Sequence, residues 1–532
     1  MEPVATMLPH VHRRLGVFLL LLITGCMVGP DFKSPPARVA EQWLEADHKA
    51  VDSTRQEYRN WWSVFDDAAL TELIETAYRQ NLSLLAAGVR VLQARAELGV
   101  ALGELYPQEQ QVGASVTRNR LPVSTPYNVI NPNYWQAAFG AQAAWEIDLW
   151  GKVRRGVESA DQAYLASVAE YDDVLVTLTG DVASAYVQIR VIQTQLAIAQ
   201  ENVERQREAL AIARARFAGG VVTKRDVYQA ENVLGATEAT IPQLNLALQT
   251  AEDAMRVLLG MAPEPLDSLL GGSSGIPVAP ERVAVGIPSE LLRRRPDIRK
   301  AELDAAAQCA QIGFSKADLL PAFALVGSIG TLSTNVGHAK LSDVFTSGSI
   351  AYSGGPSVQW NILNYGQLTN DVRVQDAKFQ ALSVNYQNTV LKAQQEVEDG
   401  IAKFVQSRDQ VVFLVKSVEA AEGALRIALL EYKAGTADFT TVLNAEQGVL
   451  QAQNNLAVAR GNIPLGLIGA YRALGGGWQM REGHDLVPDA TRAEMSQRTN
   501  WGTLLTPDLL RPAPPGLPSP EDRGPLVRPP EW

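Results

Sequence analysis

The sequence predicts an α+β chain built by tandem duplication: a transmembrane antiparallel β-barrel to which each chain gives four strands, continued by a long α-helical barrel of coiled coils. Three observations predict it. Blocks of sequence recur about 215 positions apart, two runs alternate apolar and polar residues with aromatics near their ends, and a proline-free stretch beginning at Lys152 is far too long for a compact globule.

The repeat is legible block by block. Arg216-Phe217-Ala218-Gly219-Gly220-Val221-Val222-Thr223, leading into Asp226-Val227-Tyr228-Gln229-Ala230-Glu231, is echoed by Glu431-Tyr432-Lys433-Ala434-Gly435-Thr436-Ala437-Asp438, leading into Thr441-Val442-Leu443-Asn444-Ala445-Glu446. At the same offset of 215, Trp145-Glu146-Ile147 meets Trp360-Asn361-Ile362, Gly151 meets Gly366, and Leu259-Gly260 meets Leu474-Gly475. Self-similarity in several separated blocks is the mark of a duplicated unit. The chain divides into a leader (1–25), an N-terminal extension (26–66), a first repeat (67–266), a linker (267–288), a second repeat (289–476) and a tail (477–532). Ten of the 29 prolines lie between Pro488 and Pro530, so the tail is expected to be extended or disordered.

Each repeat runs through the same elements. An amphipathic helical run, Asp67–Leu105 or Ser289–Leu319, is closed by Pro107 or Pro321, because proline cannot continue a helix. A strand-like region follows, rich in Ser, Thr, Asn and Gly, with turns at Pro122, Pro126 and Asn131-Pro132 in the first copy. After Gly151 or Gly366 comes the long helix; Lys152–Arg214 alone would extend ~95 Å. Gly219-Gly220 and Gly435 then reverse the chain into a returning helix.

The second strand of each copy is the most informative. In Tyr134–Leu149, Trp135, Ala137, Phe139, Ala141, Ala143, Trp145, Ile147 and Leu149 alternate with Gln136, Ala138, Gly140, Gln142, Ala144, Glu146 and Asp148. In the second copy Ile350, Tyr352, Pro356, Val358, Trp360 and Ile362 stand against Ser349, Ser353, Ser357, Gln359 and Asn361. This pattern fits tilted strands with Trp135, Phe139, Trp145, Tyr352 and Trp360 toward lipid and Gln136, Gln142, Gln359 and Asn361 toward a wet lumen. A strand of a soluble sandwich is the competing reading. The first strands, with Val112, Ala114, Val116 and Phe323, Leu325, Ile329, alternate less cleanly. Four strands cannot close a barrel, and open edges are not tolerated in hydrocarbon, so two chains (eight strands) or three (twelve) must share one.

Composition narrows the rest. The chain has 532 residues, is 46% apolar and carries a net charge of −11, which excludes a nucleic-acid binder built on a basic face. Two cysteines and five histidines leave no disulfide framework and no metal-spaced cluster, so no cofactor, metal or catalytic site is expected. At the N-terminus, His12-Arg13-Arg14 precede an apolar run from Leu15 to Ile23 and then Thr24-Gly25-Cys26, the pattern of a secretory signal peptide. Ile23-Thr24-Gly25-Cys26 also resembles the lipobox that directs acylation of the cysteine; an ordinary signal with an unmodified Cys26 is the other reading. Cys309 is then left alone, a small buried residue of a helix.

Cys26-Met27-Val28-Gly29-Pro30-Asp31, Trp61-Trp62 with Phe65, Trp145-Glu146-Ile147-Asp148-Leu149-Trp150-Gly151 and Leu291-Leu292-Arg293-Arg294-Arg295-Pro296-Asp297-Ile298-Arg299 together resemble the TolC family of outer-membrane efflux proteins, in its lipoprotein branch serving resistance-nodulation-division pumps. The resemblance spans nearly all of residues 26–478. It implies a homotrimer with a twelve-stranded outer-membrane barrel, a periplasmic helical tunnel with an equatorial belt, a lipid anchor in the outer membrane of a Gram-negative bacterium, and two partners: a periplasmic adaptor and an inner-membrane pump. Passive conduction of small molecules follows from it. So does a periplasmic entrance at the tips 216–227 and 431–442, which places Gly219, Gly220, Asp226, Tyr432, Gly435, Thr441 and Asn444 there. Turn chemistry alone also accounts for those glycines. Asp226 and Tyr432 match positions that hold the entrance closed in relatives, whereas Ala437, Thr441 and Asn444 replace an arginine and acidic residues, which implies a weaker or differently built latch.

Three rivals stand beside this reading. A periplasmic coiled-coil scaffold lipoprotein explains the helices but not the strands, and the outer-membrane part of a type I secretion or metal-efflux system would share the fold. An enzyme would need Gly271-Gly272-Ser273-Ser274-Gly275 to be a nucleophile elbow, but prolines at 263, 265, 277 and 280 flank it where a strand and a helix are required.

Overall fold

The computed structural model of the chain describes residues 27–52, 58–120, 122, 133–271, 275–286, 288–290 and 294–506. The leader, Cys26, Pro126, Asn131-Pro132, Gly272-Ser273-Ser274, Leu291-Leu292-Arg293 and residues 507–532 lie outside them. Two helices open the first repeat, α1 (Ala68–Gln80) and α2 (Leu82–Gly103). Strands β1 (Glu109–Arg120) and β2 (Asn133–Ile147) follow, then α3 (Lys152–Ala218) and α4 (Lys224–Leu259). Among the described residues the second repeat contributes α5 (Pro296–Ala317), β3 (Ala322–Thr334), β4 (Ile350–Gln359), α6 (Gln367–Ala434) and α7 (Phe439–Ala473).

The helical run expected from Asp67 to Leu105 is split at Asn81, which sits extended at ψ 123°. Its carboxamide oxygen caps α2 by accepting from Leu84 N at 2.8 Å, and its Nδ2 donates to Leu258 O on α4 at 2.9 Å. A side chain that satisfies an orphan helix donor and a neighbouring carbonyl outweighs two more residues of continuous helix. The run expected from Ser289 is broken at Arg295, which sits extended at ψ 121° before α5, since the residue before a proline is driven out of the helical region and proline suits the first helical turn.

Helices α3 and α6, of 67 and 68 residues, are each about 100 Å long. Side by side the four long helices run in the order α4, α3, α7, α6, with α3 also carrying α2 and α5. Where α6 and α7 cross, the backbones nearly touch: a Cβ added to Gly400 would lie 2.6 Å from Ala470 N, and one added to Gly466 would lie 2.6 Å from Phe404 N. Gly466→Val is therefore expected to lower the thermal midpoint of the detergent-solubilised protein by several degrees through ~1–3 kcal/mol of overpacking. Gly448→Val on the same helix, where a Cβ meets nothing within 4 Å, is expected to leave it unchanged.

The main core joins the α1–α2 pair, the middle of α3, the upper halves of α6 and α7, and the Trp61-Trp62-Phe65 turn. A second, separate core lies at the far ends of the long helices. Cys309 is buried on α5, as expected.

The described residues on either side of the two repeats are strapped onto the helices. Val28 N donates to Trp150 O at 3.0 Å, Arg155 Nη2 to Asp31 at 2.8 Å, and Gln394 and Glu398 of α6 accept from Ala40 N and Leu44 N. The tail departs from expectation. From Gly477 to residue 506 it is folded, with a turn at Trp478–Arg481 and helix α8 (Asp489–Arg498). Trp478, Arg481, Leu486, Val487 and Met495 are buried, and Arg481 forms a two-point ion pair with buried Asp172 of α3. These anchors precede or interleave with the first prolines, which is why proline content hid them.

Candidate functional site

The four long strands form one antiparallel sheet in the order β1-β2-β3-β4. Its register decides which side chains share a face. Val112 pairs with Ala141, Ala114 with Phe139 and Val116 with Ala137; Trp145 pairs with Leu325, Ala141 with Ile329 and Ile147 with Phe323; Ile329 pairs with Tyr352 and Phe323 with Val358. Since directly opposed residues point the same way, all four strands turn their apolar sets to one face. The first strands, which alternate less cleanly on their own, thus complete a continuous apolar wall. Its large side chains are exposed in the single chain, Phe139 at 53%, Ile329 at 60% and Tyr352 at 83%.

The opposite face is polar. Gln142 pairs with Gln111 and with Ser328, which pairs with Ser353. Gln142 Nε2 donates to Glu109 at 2.8 Å and Gln111 at 3.1 Å, and the Ser328 and Ser353 hydroxyls meet at 2.9 Å. Gln136 and Gln359 lie on this face; Val326 and Leu332 are its apolar exceptions. Asn361 does not belong to the wall, because β4 ends at Gln359 and the Asn361 carbonyl accepts from Asn364 in the turn to Gly366. Trp360 also lies past the strand. Its indole N–H donates to Leu319 O at 3.1 Å, and Trp145 donates to Leu105 O at 3.2 Å. The repeat has therefore duplicated an anchored tryptophan where strand gives way to helix, the level at which a membrane barrel carries its aromatic girdle. The edges of β1 and β4 have no partner strand among the described residues.

At the other end, the turns after α3 and α6 bring the two helical hairpins together. Gly220 and Gly435 adopt φ +70° and +80°, a conformation only glycine holds without strain, and Gly219, Thr441 and Asn444 are exposed beside them. Tyr432 and Asp226, 206 positions apart, meet across the hairpins: the phenol donates to the carboxylate in a long hydrogen bond of 3.5 Å. Thr223 Oγ1 donates to the other carboxylate oxygen at 3.3 Å. Burial, and then the neighbouring Asp226, pushes the Tyr432 phenol up, which keeps it protonated as a donor. Sequence reasoning missed two members of this cluster. The Arg216 guanidinium stacks 4.6 Å from the centre of the Tyr432 ring, and Phe439 meets the same ring edge-on at 5.3 Å. Arg216 opens the repeated tip motif, but no spacing rule links it to a residue more than two hundred positions away.

A sheet polar on one face and apolar on the other, with open edges and mounted on helices three times longer than a membrane is thick, is the architecture of an outer-membrane channel chain. The sequence profile of the family described as outer membrane efflux protein matches residues 73–261 and again 287–476, one match per repeat. The chain belongs to that family. It is 29% identical over 452 residues to nodulation protein T of Rhizobium leguminosarum bv. viciae, covering 85% of this chain and 90% of that one. It is 28% identical over 474 residues to the probable efflux pump outer membrane protein TtgC of Pseudomonas putida, covering 87% and 95%. The solved structure of the outer-membrane channel OprN superposes with a TM-score of 0.78 at 33% identity, over 85% of this chain and all of that one. The family is one of transport proteins, not catalysts.

Proposed function

We propose that three copies of this chain assemble into a passive outer-membrane conduit for small molecules, fed at its helical tips by a periplasmic adaptor and an inner-membrane pump of the resistance-nodulation-division type. The observation that carries this reading is the common register of the four strands. It gives a lipid wall and a wet wall on opposite faces, and leaves β1 and β4 free to pair with neighbouring copies. The chain performs no energy-consuming step; it supplies a sealed path lined by Gln136, Gln142 and Gln359. The closed state is held at the tips by Tyr432, Asp226 and the stacked Arg216, and opening separates the two hairpins, a two-state motion that adaptor contact biases. Export of small molecules in this way fits the relatives' roles in efflux pumps.

Acylation of Cys26 belongs to the same reading. Its neighbour Met27 lies against Gly151 at the junction of barrel and helix, so close that a Cβ on that glycine would sit 2.6 Å from Met27 Cγ. Cys26→Ser is expected to abolish palmitate labelling while leaving the protein in the outer-membrane fraction, because one acyl set adds to the anchoring of a barrel rather than replacing it. Single-channel recordings in planar bilayers test conduction itself: discrete steps are expected, and a protein that never conducts, even with the tip contacts removed, contradicts the proposal.

A further inference from the structure

The seam between the two hairpins contains a carboxylate that has no counter-charge among the described residues. Glu231 of α4 and Glu446 of α7 occupy the same position in the two repeats. Glu231 is half-exposed and pairs with Arg214 of α3 at 2.8 Å. The residue equivalent to Arg214 in the second repeat is Leu429, part of the apolar tip core, and Glu446 is 4% exposed with no hydrogen bond or ion pair among the described residues. A second polar group lies on α3, which packs against α7. Gln206 of α3, a turn above the buried Ala209 and Leu210, leaves both its amide oxygen and nitrogen buried without a partner. An unpartnered buried polar group weakens the packed state it belongs to.

The charged groups around Glu446 are otherwise engaged or turned away. On α3, Arg214 is committed to Glu231, Arg216 to the Tyr432 ring, and Glu208 is exposed. On α6, Glu422 accepts from Gln453, Arg426 is exposed, and Tyr432 donates to Asp226 of α4.

We propose that Glu446 is a proton-operated wedge in the tip: protonated, it lets the two hairpins close on each other, and ionised, it favours their separation. The inference rests on the tip being the gate. Burial lifts the carboxyl from its ordinary 4.5 to about 7, so the closed state holds a proton that an opened, hydrated tip releases. The sign follows from linkage. Closing is favoured fully below the open-state value and loses that advantage as pH rises toward the closed-state value. Opening thus increases across the window from 4.5 to about 7, by at most about tenfold per pH unit, and levels off above it.

The test uses the full-length protein in planar bilayers from pH 5 to 8. Wild type is expected to open progressively more up to about pH 7, and Glu446→Gln to stay closed-favouring with a flat profile. Hydrogen-exchange protection of residues 425–449, corrected for intrinsic rates, gives a readout on the unmutated chain and should fall over the same window. A flat wild-type profile, or a Glu446→Gln profile that keeps the wild-type slope, overturns the wedge. Asp226→Ala distinguishes the two levels of failure: if it opens the channel while Glu446→Gln changes nothing, the wedge fails and the gate stands; if Asp226→Ala leaves conductance unchanged, the gate itself fails.

Discussion

Tyr432→Ala is expected to convert a channel that conducts weakly into one that conducts strongly, with an opening equilibrium shifted by two orders of magnitude or more. The phenol ring is 1% exposed at the centre of the tip core, between Arg216 and Phe439. Truncating a buried aromatic costs about 3–5 kcal/mol of the packed state, and here that state is the closed tip rather than the whole fold, since the tip core is separate from the main one. Tyr432→Phe removes only the long hydrogen bond to Asp226 and should shift opening by about fivefold, near 1 kcal/mol. Arg216→Gln removes the stacked cation, worth about 0.5–1 kcal/mol at a half-exposed site, and should fall in the same range. Single-channel conductance in planar bilayers ranks the three. If Tyr432→Ala conducts no more than Tyr432→Phe, the packed ring is not what holds the tip.

Arg481→Ala is expected to cost about 3–5 kcal/mol of stability, because it leaves Asp172 buried in α3 without its cation. Burial already pushes the Asp172 carboxyl up, with Arg481 opposing that rise. Without Arg481 the carboxyl rises further, with Arg299 still opposing the rise, and its neutral form is favoured. The deficit should therefore be smaller in acid and grow as pH rises. Thermal denaturation in detergent at pH 5 and pH 7.5 reads this directly, and equal losses at both values would show that packing of Trp478, not charge, dominates. Truncation before Gly477 should do at least as much harm, since it also removes buried Leu486 and Val487.

How much of this could be read without coordinates depended on the range of the interaction. The duplication, the long helices and the wall of β2 rest on local periodicity, and all are present in the structure. The matching apolar faces of β1 and β3 were not legible, because Gly327 and Thr331 interrupt their alternation and only pairing with β2 and β4 shows that they fill one wall. Asn361 was placed on the wall because alternation continues two residues beyond the point where pairing stops. At the tips, the glycines and the Asp226–Tyr432 pair follow from turn chemistry and resemblance. Arg216 and Glu446 needed the packing of one hairpin on the other. The folded tail was missed because its anchors, Trp478 and Arg481, are two isolated residues in a short glycine-rich, polar stretch that leads into the proline-rich end.

Shared closure of the barrel is tested most directly by cross-linking its open edges. Within one chain β1 and β4 are separated by two intervening strands, about 14 Å at the usual spacing, so cysteines on them cannot form an intrachain disulfide. Gln111→Cys combined in turn with cysteine at Ala351, Ser353, Gly355 or Ser357, all on the polar face, scans the register between neighbouring copies. In membranes, the matching register should give covalent dimers and then trimers on oxidation, with nothing larger. A ladder that ends at two, or no cross-link at any of the four positions, would contradict a barrel closed by three chains.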